Sequence, residues 1–265
     1  MKSAAGKIVV KSPREVDLLR AAGRLVNSVL VELEHMVAPG MTTLRLDQRA
    51  SEMIQAAGAT ALFKGVENRQ ARFPFPASIC SSVNAAVVHG IPDDRPLQEG
   101  DIVSIDCGVR LKGYCGDAAR TFAVGRISAE AERLLAVTRE ALVLAIREIR
   151  PCVRWSQIAR TVQRRVESQG FGVVRDFVGH GIGREMHEEP KVPNCWDRSQ
   201  HAADFELVPG MTLAIEPMVT AGRPETVFGD ASRWVIVTKD GSLAAHFEDV
   251  VAVTAQGADV LSDGS

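Results

Sequence analysis

The sequence predicts an α+β fold with internal pseudo-symmetry, and three observations lead there. Two pairs of amphipathic helical segments recur along the chain. The second helix of each pair is framed by a proline and a glycine nineteen positions apart, Pro39 with Gly58 and Pro151 with Gly170. Between and after the pairs lie runs with β-like patterning. No Pro/Gly/Ser-rich linker divides the chain, so residues 1–265 read as one domain whose pseudo-symmetric halves span about 12–125 and 126–255.

The first helix starts at Ser12-Pro13-Arg14-Glu15, with Ser12 as N-cap, Pro13 at the first helical position and Glu15 completing a capping box. Leu18, Leu19, Ala22, Leu25, Val26, Val29, Leu30 and Leu33 then recur every three or four residues until Pro39-Gly40. A second helix runs from near Thr43 to Gly58 with Leu46, Ala50, Met53, Ile54 and Ala57 facing inward. The same grammar returns from Ser128 to Pro151, carrying Leu134, Leu135, Val137, Leu142, Ile146 and Ile149, and from Ser156 to Gly170, carrying Ile158, Val162 and Val166. The strand-like runs are 79–89, 101–111, 114–124, 173–178, 212–219, 233–239 and 243–253.

With 265 residues, 46% of them apolar, the chain can bury a large core without metal or disulfide staples, and disorder is excluded. Thirty-one basic against 33 acidic side chains leave a net charge of -2, which argues against a protein built to neutralise nucleic-acid phosphates. Five cysteines without a C-x-x-C pair fit neither a secreted disulfide framework nor a cysteine-rich zinc site and point to the cytoplasm. Only Ile8, Val9 and Val10 form an apolar run near the start, so neither a signal peptide nor a membrane span is expected.

The informative stretch is DIVSIDCGVRLKGYCGDAARTFAVG, read as a hairpin turning at Lys112-Gly113. That register sets Gly108 opposite Asp117 and makes Asp106 its diagonal neighbour on the same face. Diagonal residues lie about 7–8 Å apart at Cα, close enough for two carboxylates to hold one ion or adjacent ions. The alternative is that one or both aspartates are exposed strand-end residues. Glu216 and Glu248 stand in apolar strand runs, where each alone reads as a salt-bridged core acid. Together with His180 they make four carboxylates and one imidazole from separate strands, a set that suits Mn²⁺, Fe²⁺, Co²⁺ or Zn²⁺, two ions if carboxylates are shared. His187-Glu188-Glu189-Pro190 is not H-E-x-x-H, so a helical single-zinc site is excluded. His35 and His201 read as solvent-facing.

These residues also carry a resemblance. Val88-His89-Gly90-Ile91-Pro92, Ile105-Asp106 with Asp117, Gly179-His180-Gly181-Ile182-Gly183 running to Met186-His187-Glu188-Glu189-Pro190, Pro209-Gly210-Met211, Ile215-Glu216-Pro217-Met218 and Phe247-Glu248 resemble the motifs of methionine aminopeptidases, in order and over nearly the whole chain. The resemblance implies a pita-bread fold, with pseudo-two-fold duplicated helix pairs packed on a curved antiparallel sheet around a dinuclear metal site. The short interval between His187 and Glu216 and the absence of a zinc-finger extension before the helices match type 1 members.

By the same resemblance, Asp106 is the bidentate ligand of one ion, Asp117 and Glu248 bridge, and His180 and Glu216 complete the second. Such a pair would lower the pKa of a bridging water from 15.7 towards about 7. Glu216 would accept a proton, His187 would donate to the oxyanion, and His89 would contact the substrate amide. Cys80, Trp234 and Phe75 would surround the methionine side chain. The departures lie at that pocket: residues 65–73 form a longer, more polar segment than usual, and Met186 stands where an aromatic residue is common. Asp249 after Glu248 is reminiscent of proline-specific members of the fold. The activity implied is removal of initiator methionine from N-terminal peptides of nascent proteins with a small second residue, by a monomer working in the cytoplasm, at the ribosome surface or free. An X-Pro aminopeptidase and a non-catalytic protein- or RNA-binding module are the alternatives; the first normally carries a further N-terminal domain, and the second normally loses ligands.

Overall fold

Helix α1 (Pro13–Met36) begins where the Glu15 carboxylate accepts from both the Ser12 N–H (2.9 Å) and the Ser12 hydroxyl (2.8 Å). In α2 (Thr43–Ala56) the Thr42 hydroxyl accepts from the Arg45 N–H. Ala57, expected to face inward, is the exposed C-cap residue, because the chain turns away at Gly58 with φ 68°. Ser128 caps α3 (Ala129–Glu148) through the Ala131 N–H. Helix α4 (Trp155–Ser168) starts one residue before the expected Ser156 and has no local cap. Its cap comes from a distance: the Asp204 carboxylate accepts from the Ser156 N–H and hydroxyl and pairs with Arg154 at 2.7 Å. The computed structural model describes residues 8–197 and 204–264.

The strands are, in order, β1 (Thr60–Ala61), β2 (Ile79–Val83), β3 (Ala86–Val88), β4 (Ile102–Leu111), β5 (Tyr114–Ala123), β6 (Gly172–Val173), β7 (Gly179–Gly181), β8 (Glu188–Val192), β9 (Thr212–Ile215), β10 (Met218–Thr220), β11 (Thr226–Phe228), β12 (Ile236–Thr238), β13 (Ala244–His246), β14 (Glu248–Val253) and β15 (Ala258–Val260). Three runs expected as single strands are each divided. The run 79–89 breaks at Asn84, held at φ 55° with its side chain engaged by Asp101 and the Ile102 N–H. The run 212–219 breaks at Glu216-Pro217, since proline has no N–H for a ladder. The run 243–253 breaks at Phe247. Runs 173–178 and 233–239 pair only at Val173 and at 236–238, and β1, β7, β8, β11 and β15 were not expected.

The main sheet runs β1-β4-β5-β14-β9-β7-β8, with β2 on β4 and β15 on β14, and every pairing is antiparallel. The β4–β5 hairpin has the expected register: Gly108 faces Asp117, Asp106 faces Ala119, and Lys112-Gly113 form the turn at φ 51° and 82°. Both helix pairs cover one face of the sheet. Val26, Leu30, Leu33 and Leu46 bury against Val103, Ile105 and Val109, while Leu134, Ala141, Ile158 and Val162 bury against Leu213 and Val251. Each large side chain so buried contributes about 1.5–3 kcal/mol. Alternation then decides where the acids go: with odd positions of β4 and even positions of β5 against the helices, Asp106 and Asp117 turn to the opposite face. Among the described residues no helix is long and apolar enough to cross a membrane.

Candidate metal centre

On that opposite face, Asp106, Asp117, His180, Glu216 and Glu248 line one cavity of about 270 Å³, together with His89, His187, Cys80, Phe75 and Trp234. All ten residues singled out in the sequence therefore meet. Strand order causes it: β14 lies between β5 and β9, so Glu248 sits opposite Ala119, beside Asp117, and Asp249 sits opposite Ile215, beside Glu216. Arg120 tightens this join by donating to the Glu248 carbonyl and pairing with Asp249 at 2.7 Å. His180 reaches the cavity from β7, its Nε2 3.9 Å from Asp117 Oδ2 and 3.8 Å from Glu216 Oε1. Ligand atoms of Asp117, His180 and Glu248 all lie within 4.8 Å of one another, on side chains that are buried.

The electrostatics of the cavity suit a cation. Burial pushes the carboxyls of Asp106, Asp117, Glu216 and Glu248 above their ordinary range, and the acids' mutual repulsion pushes Asp117, Glu216 and Glu248 further. Asp106 Oδ1, Asp117 Oδ1 and Glu248 Oε1 are fully buried with no hydrogen-bond partner. His180 is prepared differently. Its Nδ1 lies 2.9 Å from the Gly181 carbonyl, which can only accept, so Nδ1 carries the proton and the Nε2 lone pair faces the acids. Burial, followed by the neighbouring His187, holds its pKa down at about 4, so the ring is neutral. Carboxylate oxygens lacking partners beside a neutral imidazole of fixed tautomer fit a divalent transition metal.

Around this centre the pocket is apolar. Trp234 meets Phe75 edge-on at 5.2 Å, and its indole N–H donates to the Phe73 carbonyl at 2.7 Å, which fixes the ring. Cys80 of β2 sits opposite Asp106. Residues 65–73 resolve as a loop closed by the Gly65 N–H to Phe75 O and Phe75 N–H to Val66 O bonds; Val66 and Phe75 reach the cavity and Phe73 lies 45% exposed outside. Met186 lines the cavity as well. His89 has φ 58°, uncommon for a side-chain-bearing residue, and its ring stands edge-on to Phe177 and Trp234. Gly90 makes that turn possible, because a Cβ there would lie 2.0 Å from the Ser81 carbonyl oxygen. Burial lowers the pKa of His89 to about 4. His187 is exposed at the mouth, its ring 4.4 Å from that of His180.

Comparison with known proteins agrees with this geometry. The model of metallopeptidase family M24 matches residues 17–255. The chain belongs to this family. It is 47% identical over 256 residues to the methionine aminopeptidase of Clostridium acetobutylicum, covering 96% of this chain and 98% of the relative. The crystal structure of methionine aminopeptidase from Rickettsia prowazekii superposes with a TM-score of 0.90 at 34% identity, covering 97% of this chain and 100% of that one. An Xaa-Pro dipeptidase from Bacillus anthracis shares the fold at a TM-score of 0.74 and 21% identity, with 97% of this chain spanning 62% of that one.

As an M24 metallopeptidase with the pita-bread fold, the chain keeps every acid and imidazole that the sequence singled out at its centre. One imidazole of the cavity was missed. His246 lies 2% exposed in the cavity, its Nε2 3.9 Å from both Glu216 Oε2 and Glu248 Oε2. A signal existed: two positions before Glu248, strand alternation places it on the same face. His35 is exposed as expected, and His201 lies outside the described residues.

Proposed function

We propose that this chain is a type 1 methionine aminopeptidase that removes initiator methionine from N-terminal peptides of nascent proteins whose second residue is small. The observation that carries the reading is the cavity in which four carboxylates, those of Asp106, Asp117 and Glu248 each with an oxygen that lacks a partner, and His180 adjoin a pocket of Phe75, Trp234 and Cys80. A thioether is soft and gains from aromatic contact at its edge, so this pocket suits methionine.

Asp106, Asp117, His180, Glu216 and Glu248 would hold two divalent ions, Co²⁺, Fe²⁺, Mn²⁺ or Zn²⁺, with Asp117 and Glu248 shared. When bound, such ions lower the pKa of water towards about 7 and supply hydroxide at neutral pH. Glu216 accepts the proton released as the peptide carbonyl is attacked. His187, at the mouth, donates to the carbonyl oxygen as it gains charge, and His89 holds the scissile amide and assists departure of the new amine. The enzyme acts as a monomer in the cytoplasm, on chains emerging at the ribosome surface.

The test pairs metal analysis with two peptides, Met-Ala-Ser and Ala-Pro. Metal-loaded protein is expected to release methionine from the first and leave the second intact, and to lose the activity on stripping. Preferential cleavage of Ala-Pro would make the chain an X-Pro peptidase instead, and metal-independent cleavage would remove the metallopeptidase mechanism.

A further inference from the structure

We infer that His246 is a sixth protein ligand of the metal centre, its Nε2 binding alongside Glu216 and Glu248. The inference rests on the reading of the cavity as a metal site and adds a residue to it. Its first support is chemical. Nε2 of His246 is fully buried, lines the cavity and has no hydrogen-bond partner. A buried imidazole kept for packing satisfies its nitrogens, and one kept as a donor to a carboxylate stands at 2.7–3.2 Å, not 3.9 Å from two of them.

The second support is geometric. His180 Nε2 stands 3.9 and 3.8 Å from Asp117 and Glu216, and His246 Nε2 stands 3.9 Å from Glu216 and from Glu248. The two imidazoles thus flank Glu216 in matching relations, each between two acids. Neighbouring ligands on bonds of about 2.1 Å lie roughly 3.0–3.4 Å apart, so less than an ångström of side-chain closure separates either histidine from coordination.

The third support is rigidity. The His246 N–H donates to Thr121 Oγ1 at 2.9 Å, while the Thr121 hydroxyl donates to the His246 carbonyl at 2.8 Å. The residue also pairs with Met218 across β13 and β10. Its backbone is therefore pinned from both sides, as a preorganised ligand requires. A second neutral nitrogen adds coordination without adding charge to four carboxylates, and it moves the preference towards Fe²⁺, Co²⁺ or Zn²⁺ and away from Mg²⁺.

The experiment loads full-length wild type, His246→Gln and His246→Ala with Co²⁺ and counts coordinated imidazoles per chain by X-ray absorption, with Co²⁺ affinity measured by calorimetry. Two imidazoles are expected in the wild type and one in each variant, with about a 10–100-fold loss of affinity at the more weakly held ion. His246→Gln keeps a polar side chain of similar reach, so the count remains readable if the alanine variant fails to fold. One imidazole in all three proteins would overturn the inference and leave the metal site standing. A wild type that binds no Co²⁺ would instead overturn the reading of the cavity on which it rests.

Discussion

Asp106 and Asp117 face the same cavity because Asp117 stands opposite Gly108, two residues from Asp106, in a hairpin whose turn is Lys112-Gly113. Gly108 leaves room for this: a Cβ there would lie 2.9 Å from the Phe63 ring and 3.3 Å from Asp117 Oδ1. The first carboxylate pair is thus built by local sequence. The second pair, Glu216 and Glu248, is brought to it only by the insertion of β14 between β5 and β9.

Removing one charge of a carboxylate proposed to be shared should empty the site. Asp117→Asn or Glu248→Gln is expected to lose metal at least about 100-fold in affinity, and with it most activity. Metal content per chain after dialysis, measured beside peptide turnover, checks it; a variant that keeps both would mean that its carboxylate is no ligand.

His187 should separate binding from chemistry. His187→Ala is expected to retain full metal while kcat falls about 10²-fold, since its hydrogen bond strengthens only as charge develops on the oxygen. Metal loss in that variant would make His187 a ligand.

The pocket should act through the methionine side chain. Trp234→Ala or Phe75→Ala is expected to reduce kcat/KM for methionine peptides about 10–100-fold with metal unchanged, because each ring forms one wall of the pocket. An equal loss on peptides that begin with a smaller apolar residue would show instead that the whole site had been disturbed.

Metal binding should release protons. Burial raises all four acids, Asp106 to about 7 and Glu216 to about 8, so near pH 6.5 metal-free protein holds protons on these two that a metal must displace, whereas His180, held at about 4, is already neutral. A raised folded pKa gives stability that is complete below the unfolded carboxylate value of about 4 and is lost as pH rises through the raised values. The lowered histidines His89, His180 and His246 act with the opposite sign, on the acid side of about 6.5. Between pH 6.5 and 8.5 the acids therefore dominate, and the Tm increment from divalent metal should grow with pH. Calorimetry in buffers of different ionisation enthalpy reads the protons; none released would contradict the protonated cavity.

Gly116 should be intolerant of any side chain. A Cβ there would lie 2.5 Å from the Ala22 backbone, so α1 can sit on β5 only over a glycine. Gly116→Ala is expected to cost about 1–3 kcal/mol in denaturant unfolding.

The sequence by itself determined what is local. Periodicity placed four helices to within about three residues, the Ser12 capping box set the start of the first, and the Lys112-Gly113 turn set a register from which Asp106 and Asp117 followed. Residue types in motif order supplied Glu216, Glu248, His89, His180 and His187 but not His246. Tertiary structure decided the rest. Asp204 caps α4 from a distant loop, Glu216 stands at a strand break and His246 at the last position of β13, and Arg120 joins β5 to β14 beside Asp117 and Glu248. Helix periodicity, caps and turns act over a few residues, so a sequence carries them openly. Which acids lie beside which depends on strand order and on the burial that raises their pKa values, and both arise only when the two halves pack together.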